Sequence, residues 1–422
     1  MFSISLRRKK KMAILIGEIF KFFKPKTPET VTPLKGDLTY RSLKEEEITP
    51  KGGMLMVTES VVKSEALIEH TEPFEKLLLV SENALLSCTN KAGDIVVKSW
   101  DQMLLKVTAV KHTWGRNKKE AQELSKDIEI RIIQRDENIS LETFLPQANG
   151  KRGYVSYKIF IPRSLNIAIE AEESDVFISD LNKNLKVKTS SGNVFIRNVM
   201  GNVHAQTSSG SVLISNIGGN VTIITEKGEI HAENINGNVD VESSEGNIKV
   251  FHSKQNVTVS VGKGSISIFD VKGNAEVKAT KTRIIGEHIE KNLNIVVEEG
   301  DMLLDDIEGN ITVHFKQGSL TLGNKHSYRI ELSSNTGDIN LDTVIKENGR
   351  YIVETSEGTI NVKIPTDAST AIVAKTIKGI ITCELPLIVT QSSRDELTGV
   401  LNQYKALVKL TTSEGDINIR KK

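Results

Sequence analysis

An all-β chain wound into a β-solenoid (β-helix) of 18-residue coils, two short strands per coil, preceded by a β-rich capping region, is the fold this sequence predicts. Three observations predict it. Asparagine recurs at 184, 202, 220, 238, 256, 274, 292 and 310, a period of 18 without a miss. With that Asn as position one, positions two and four are apolar in every unit, from Leu185 and Val187 to Ile311 and Val313, and position nine is glycine except at Thr282. No proline lies between Pro162 and Pro365, as continuous pairing between coils requires of a residue without a backbone N–H.

Apolar residues also hold positions eleven and thirteen, as in Val194 and Ile196 or Ile266 and Ile268. Each unit therefore reads as turn, strand, turn, strand, with alternate side chains pointing inward. A unit this small buries its apolar face only by stacking on its neighbours. At about 4.8 Å per coil, the eight units from 184 to 327 extend roughly 38 Å. Glycine and asparagine are expected at the turns because both accept left-handed backbone. Stacked asparagines are expected to hydrogen-bond along the axis.

The first 36 residues hold nine Lys and Arg against two Glu, leaving the rest of a chain of net charge +1 slightly acidic. Basic character this local argues against a nucleic-acid binder. Within "KMAILIGEIFKFFKPKTPET", Glu18 and Lys21 interrupt the apolar run and no small-residue cleavage site follows, unlike a secretory signal. The run is also shorter than the roughly 20 apolar residues of a membrane span. An interfacial helix over 12–24 is expected, with Ile14, Leu15, Ile19, Phe20, Phe22 and Phe23 as membrane contacts beside flanking positive charge. Location is then cytoplasmic, peripheral on the inner face of the cell membrane, with the cell surface as the alternative.

Pro25, Pro28 and Pro33 mark a linker that closes the segment 1–36. Residues 37–75 form a lead-in in which "GGMLMVTESVVKSEALI" fits one or two short strands. Residues 76–165 read as the β-rich cap, with "KLLLVSENALLSCTNKAGDIVVKSW" and "YVSYKIFIP" among its runs. One helical insert, "GRNKKEAQELSK" at 115–126, interrupts them. Regular coils occupy 166–327. Over 328–422 the glycines spread to Gly337, Gly358, Gly379 and Gly415, predicting wider coils and a surface loop at 386–405 with a short helix in "SRDELTGVLNQY".

The phrase S-x-G-x-h-x-h (h apolar) recurs as "TSSGNVFI", "TSSGSVLI", "SSEGNIKV", "TSEGTINV" and "TSEGDINI". It resembles the bacterial putative-adhesin family of β-solenoids, a domain of unknown function, and the resemblance runs over roughly 76–420. The resemblance implies a β-solenoid and, by the family's name, surface adhesion. A looser architectural likeness is to bactofilins, whose rods polymerise and carry a short membrane-binding N-terminus.

The coils offer no catalytic constellation. His204, His231, His252, His288 and His314 fall at positions three, twelve, fifteen, fifteen and five, so one pair shares a phase, two coils apart. "IGGNVTIIT" and "INGNVDVES" lack the aspartate of a calcium-binding repeat. Glu298, Glu299, Asp301, Asp305, Asp306 and Glu308 make one acidic run, read as charge that keeps turns soluble. Cys88 and Cys383 stand alone, giving neither a disulfide framework nor a metal motif. Lys254 stacks with Lys272 and Lys263 with Lys281, a candidate anion-binding pattern. Aromatic residues are 5% of the chain, and Trp100 and Trp114 both precede the regular coils, which argues against a sugar-stacking platform.

Catalytic, cofactor and metal residues are therefore expected to be none, and the chain a non-enzymatic scaffold or assembly module. Its expected partners are other proteins, or its own copies through open coil ends, and a membrane surface. The rival readings are an exported adhesin for carbohydrate or protein and a polysaccharide-acting enzyme.

Overall fold

The computed structural model describes residues 67–145 and 153–422, within the unit Ser64–Lys422. Strands pair in parallel with partners 18 residues on, as Leu185 with Val203, Val203 with Val221 and Val221 with Val239. The second strand of each coil follows the same rule, Val194 with Val212 and Val212 with Ile230. Positions two, four, eleven and thirteen point inward: Val187, Val194, Ile223 and Ile266 are fully buried. β-branched residues suit this interior because each lies over a like neighbour on a pleated surface. In the coils Val239–Ser253, Val257–Val271 and Ala275–Ile289 the two strands run on as one.

Position six is the inward residue three before the turn glycine. Thr189, Thr207 and Thr225 are buried there, and each hydroxyl donates to the carbonyl two residues on, 3.2 Å away in all three. The bond satisfies a buried polar atom.

At position nine the constraint is contact between coils. A Cβ on Gly210 would lie 2.1 Å from the Gly192 carbonyl oxygen, and Gly210 has φ +143°. The same column continues through Gly318, Gly337, Gly358, Gly415 and Gly379, in that order in space.

The left-handed turn does not fall on the recurrent asparagines of position one. It falls at position fifteen, where Asp180, Asn198, Asn216, Asn234, His252, Asp270, His288 and Asp306 have φ of 55° to 69°. Asn, Asp and His are the side chains enriched in that region of backbone space. The position-one asparagines act by hydrogen bonding: each Oδ1 accepts the backbone N–H of the next, 2.9 Å for Asn184 to Asn202 and 2.8 Å for Asn202 to Asn220.

The coils do not end as open parallel edges. At the first end Leu85–Ala92 lies between Asn138–Phe144 and Asn166–Glu173, and Ile95–Trp100 between Gly153–Pro162 and Val176–Leu181. Antiparallel strands close the stack: Glu129–Arg135 on one sheet, Leu104–Gly115 and then Ile68–Leu79 on the other. The expected helix is Lys118–Asp127, started by Asn117, whose side chain accepts the Glu120 N–H at 2.9 Å.

The far end repeats the device. Coil spacing widens to 19 and then 21 residues. The last strands in sequence, Leu407–Glu414 and Ile417–Lys421, then slot between Arg350–Ile364 and Thr370–Cys383. The expected helix at 386–405 is instead an antiparallel hairpin, Ile388–Ser392 and Glu396–Leu401, laid on Thr370–Lys375. Leu397, Gly399 and Leu401 face inward at period two, and the neighbouring sheet edge decides that period over the helical one.

Candidate functional site

The outward side chains of the second strand, positions twelve and fourteen, carry a row of apolar residues interrupted by Arg197, His231, Glu233, Lys249, Glu287 and Asp305. Five of the eight phenylalanines among the described residues lie on this face, half-exposed: Phe160, Phe177, Phe195, Phe251 and Phe269. Phe177 stacks on Phe195 with centroids 4.7 Å apart, and Phe251 on Phe269 at 5.3 Å. In-register pairing sets this stacking, since like positions of successive coils are direct neighbours. Leu213, Ile285 and Leu303 extend the stripe, Leu303 with 49% of its surface exposed. Past Leu303 the same column turns polar, with Asn340, Asn361 and Asn418 linked by side-chain amide bonds of 2.9 and 3.0 Å. Five phenylalanines lie half-exposed on this face, whereas Tyr157, Phe315 and Tyr351 are buried in the core.

Composition hid this face. Both tryptophans do precede the coils, but phenylalanines at two outward phases, Phe177 and Phe195 at position twelve and Phe251 and Phe269 at position fourteen, were the informative signal. The rings stack on one another in two pairs, each with an interplanar angle of 5°.

Position fifteen, beside that face, forms a histidine and carboxylate edge. His252 Nε2 lies 3.1 Å from Asp270 Oδ2, and His288 Nδ1 lies 3.0 Å from Asp306 Oδ2. Asp306 Oδ1 is also 3.4 Å from His326 Nε2. At the other end Glu233 sits between His231 at 3.4 Å and His252 at 3.9 Å. Hydrogen bonding to Asp306, with the charges of Asp270 and Glu290, raises the His288 pKa above its ordinary value against some loss from burial. The Glu233 carboxyl is lowered, first by its bond to His231 and then by the nearby charges of His231 and His252. Reading histidines alone left His252 and His288 as an isolated pair; Asp270 and Asp306 share their phase and join them.

The candidate lysines lie among carboxylates. Lys272 pairs with Glu290 at 3.7 Å and Lys281 with Glu299 at 2.8 Å. Lys263 aligns with Lys281 on one side and Glu245 on the other. Among the described residues Lys254 and Lys263 have no ion-pair partner. The acidic run is divided likewise: Glu298 pairs with Lys316 at 2.6 Å, and Asp301 accepts the Ser319 N–H at 3.0 Å. The expected membrane contacts Ile14, Leu15, Ile19, Phe20, Phe22 and Phe23 lie outside the described residues, as do residues 37–66 of the lead-in.

Among the described residues no group of three His, Cys, Asp or Glu side chains is arranged to hold a metal ion, and no helix is long and apolar enough to cross a membrane. Cys88 is fully buried and its thiol is pushed up to about 12 by desolvation, the state of an inert core residue.

A family model described as Toastrack DUF4097 matches residues 85–283 and 252–420. No curated protein matches the chain. Among solved structures, a putative adhesin from Bacteroides fragilis is similar at 16% identity and TM-score 0.34, over 55% of this chain and 96% of that one. A putative cell adhesion protein from Clostridium sporogenes is similar at 11% identity and TM-score 0.18, over 83% of this chain and 100% of its own.

Proposed function

The chain belongs to the Toastrack family, DUF4097, and on that premise we propose that it is a non-enzymatic interaction scaffold, held at the inner surface of the cell membrane by residues 12–24. The observation that carries this reading is the row of outward phenylalanines on one sheet face, Phe177 and Phe195 followed by Phe251 and Phe269. Aromatic side chains kept half-exposed on a rigid surface are the usual anchors of protein contacts. Interleaved strands at both ends fix the length of the stack, and edge devices oppose growth by strand addition: Pro73 in the outermost strand Ile68–Leu79 and the irregular register between Val389 and Gln391 in the hairpin. The sides of the coils, rather than their ends, are therefore the surfaces offered to partners.

Two measurements test this. A fluorescent fusion of the full chain should line the membrane and become diffuse without residues 1–24. Fractionation that finds the protein on the outer surface would overturn the tether in favour of an exported adhesin. In-cell crosslinking of the full chain should give adducts that Phe195→Ser with Phe269→Ser removes at unchanged circular dichroism. An unchanged set of adducts would overturn the docking role of the face.

A further inference from the structure

We propose that the slot filled by the C-terminal strands is a strand-acceptor site for a second copy of this chain, two copies joining at their far ends by exchanging residues 407–421. This goes beyond the docking face and does not depend on it.

Chain order creates the slot. Arg350–Glu357 and Thr370–Lys375 are separated by Leu407–Glu414, which pairs in parallel with both, and Ile417–Lys421 likewise separates Ile360–Ile364 from Ile381–Cys383. Both flanks precede the filling strands in sequence, so each presents an unpaired edge until those strands arrive. The filled slot is closed to strand addition; what passes between copies is the filling strand itself.

The contacts select the occupant. Val408, Leu410, Ile417 and Ile419 are fully buried in the slot. Thr412 Oγ1 donates to the Gly358 carbonyl at 3.1 Å, Thr376 Oγ1 to the Gly415 carbonyl at 2.9 Å, and Asn418 Nδ2 to Asn361 Oδ1 at 3.0 Å. Lys409 pairs with Glu354 at 2.7 Å, and Glu414 with Lys378. A second copy brings the same strand, so every one of these contacts reforms between copies.

The connection gives exchange a route. Glu396–Leu401 lies antiparallel on one side of Thr370–Lys375 and Leu407–Glu414 parallel on the other, so residues 402–406 cross over that strand. Asn402, Gln403, Tyr404 and Lys405 are exposed, Tyr404 with 71% of its surface. Polar ties hold the crossing: Asn402 Nδ2 donates to the Ala368 carbonyl at 2.8 Å, the Asn348 N–H to the Lys405 carbonyl at 2.7 Å, and Lys405 pairs with Glu347 at 2.6 Å. Released, the crossing extends by about 3.3 Å per residue and carries the strand to the neighbouring copy. Filling through so short a connection has a high effective concentration, so the closed monomer prevails in dilute solution and reciprocal exchange follows opening at high concentration.

Two full-length variants test this. One reverses the acceptor, Glu354→Lys with Lys378→Glu; the other reverses the strand, Lys409→Glu with Glu414→Lys. Each alone sets like charges together at both contacts of its own slot, whereas exchange between the two variants restores opposite charges at all four. Unfolded together and refolded at about 100 μM, they should give mixed dimers in native mass spectrometry. These should exceed dimers of either variant alone by at least about tenfold. A mixture that stays monomeric overturns the exchange, as do dimers in the proportions of random pairing, the result expected of contact through the phenylalanine face. Wild type refolded at that concentration should give dimers that refolding about a hundredfold more dilute does not; a wild type monomeric at both overturns the proposal. If either variant alone fails to fold, mixing should recover its circular dichroism and its protease resistance between 365 and 402, and no recovery is equally decisive against it.

Discussion

His288 and Asp306 occupy the same left-handed corner in successive coils, and the imidazole Nδ1 lies 3.0 Å from the carboxylate Oδ2. Because this contact and the charges of Asp270 and Glu290 raise the folded-state pKa of His288, protonation and folding are linked. A raised histidine contributes stability that is fully present below its unfolded value, about 6.5, and is lost as pH rises through the folded value. Both side chains are more than 40% exposed, so solvent screening keeps the effect small. Thermal melts should show a slightly higher Tm at pH 5.5 than at pH 8, corrected for the whole-protein trend with His288→Gln. If the variant keeps the same pH difference, this pair is not its source.

The register itself is tested by two neighbours. Val241 is 3% exposed and Glu242 points to solvent. Val241→Asp places an unpaired carboxylate in the core and should cost about 3–5 kcal/mol. Glu242→Lys should stay within about 0.5 kcal/mol. Equal losses in denaturant titration would mean that the inward and outward phases are misassigned.

Much of this arrangement is legible because the stack forces like residues onto like residues. Val187, Val241 and Ile295 share a phase, since any polar substitute would be buried at every coil. The left-handed corner was harder to read because Asn, Asp and His satisfy one backbone demand with three identities, so His252, Asp270 and His288 look unrelated in a row of letters. "SRDELTGVLNQY" fits a helix locally and becomes a hairpin because an unpaired sheet edge lies beside it. The order of the last coils leaves no local trace: "TSEGTINV" and "TSEGDINI" are near copies, and only the stack reveals that no unit separates them in space.

Close approach at position nine predicts an asymmetric response to adding one methyl group. Gly210→Ala brings its Cβ to 2.1 Å from a backbone oxygen at φ +143°, and should cost at least about 2 kcal/mol. Gly286, in the coil Ala275–Ile289, lies outside the positive-φ region, and an added Cβ would meet only side-chain ends, the Leu304 Cδ2 at 3.1 Å and the Ile289 Cδ1 at 3.9 Å. Gly286→Ala should therefore stabilise by about 0.5–1 kcal/mol through the unfolded state. That coil also buries the Thr282 hydroxyl without a hydrogen-bond partner, which makes it the expected weak point. Hydrogen exchange should find its amides opening before those of Val221–Ile235, and a reversed order would contradict the assignment.

The interleaved C-terminus predicts how the last coils unfold. Leu407–Glu414 supplies both neighbours of its slot with backbone partners, pairing with Arg350–Glu357 on one side and Thr370–Lys375 on the other. Ile417–Lys421 does the same for the second sheet. Truncation after Gln403 therefore removes more than the two terminal strands. It detaches Thr370–Lys375 and the hairpin above it from the stack, and uncovers the buried Tyr351 and Val353. Orphaned strand edges and exposed apolar surface together make the intermediate region unstable. Limited proteolysis of the truncated chain should cut freely between 365 and 402 while the coils before Asn340 stay intact. Protection of 370–401 equal to that of the full chain would show that the hairpin end holds without the inserted strands.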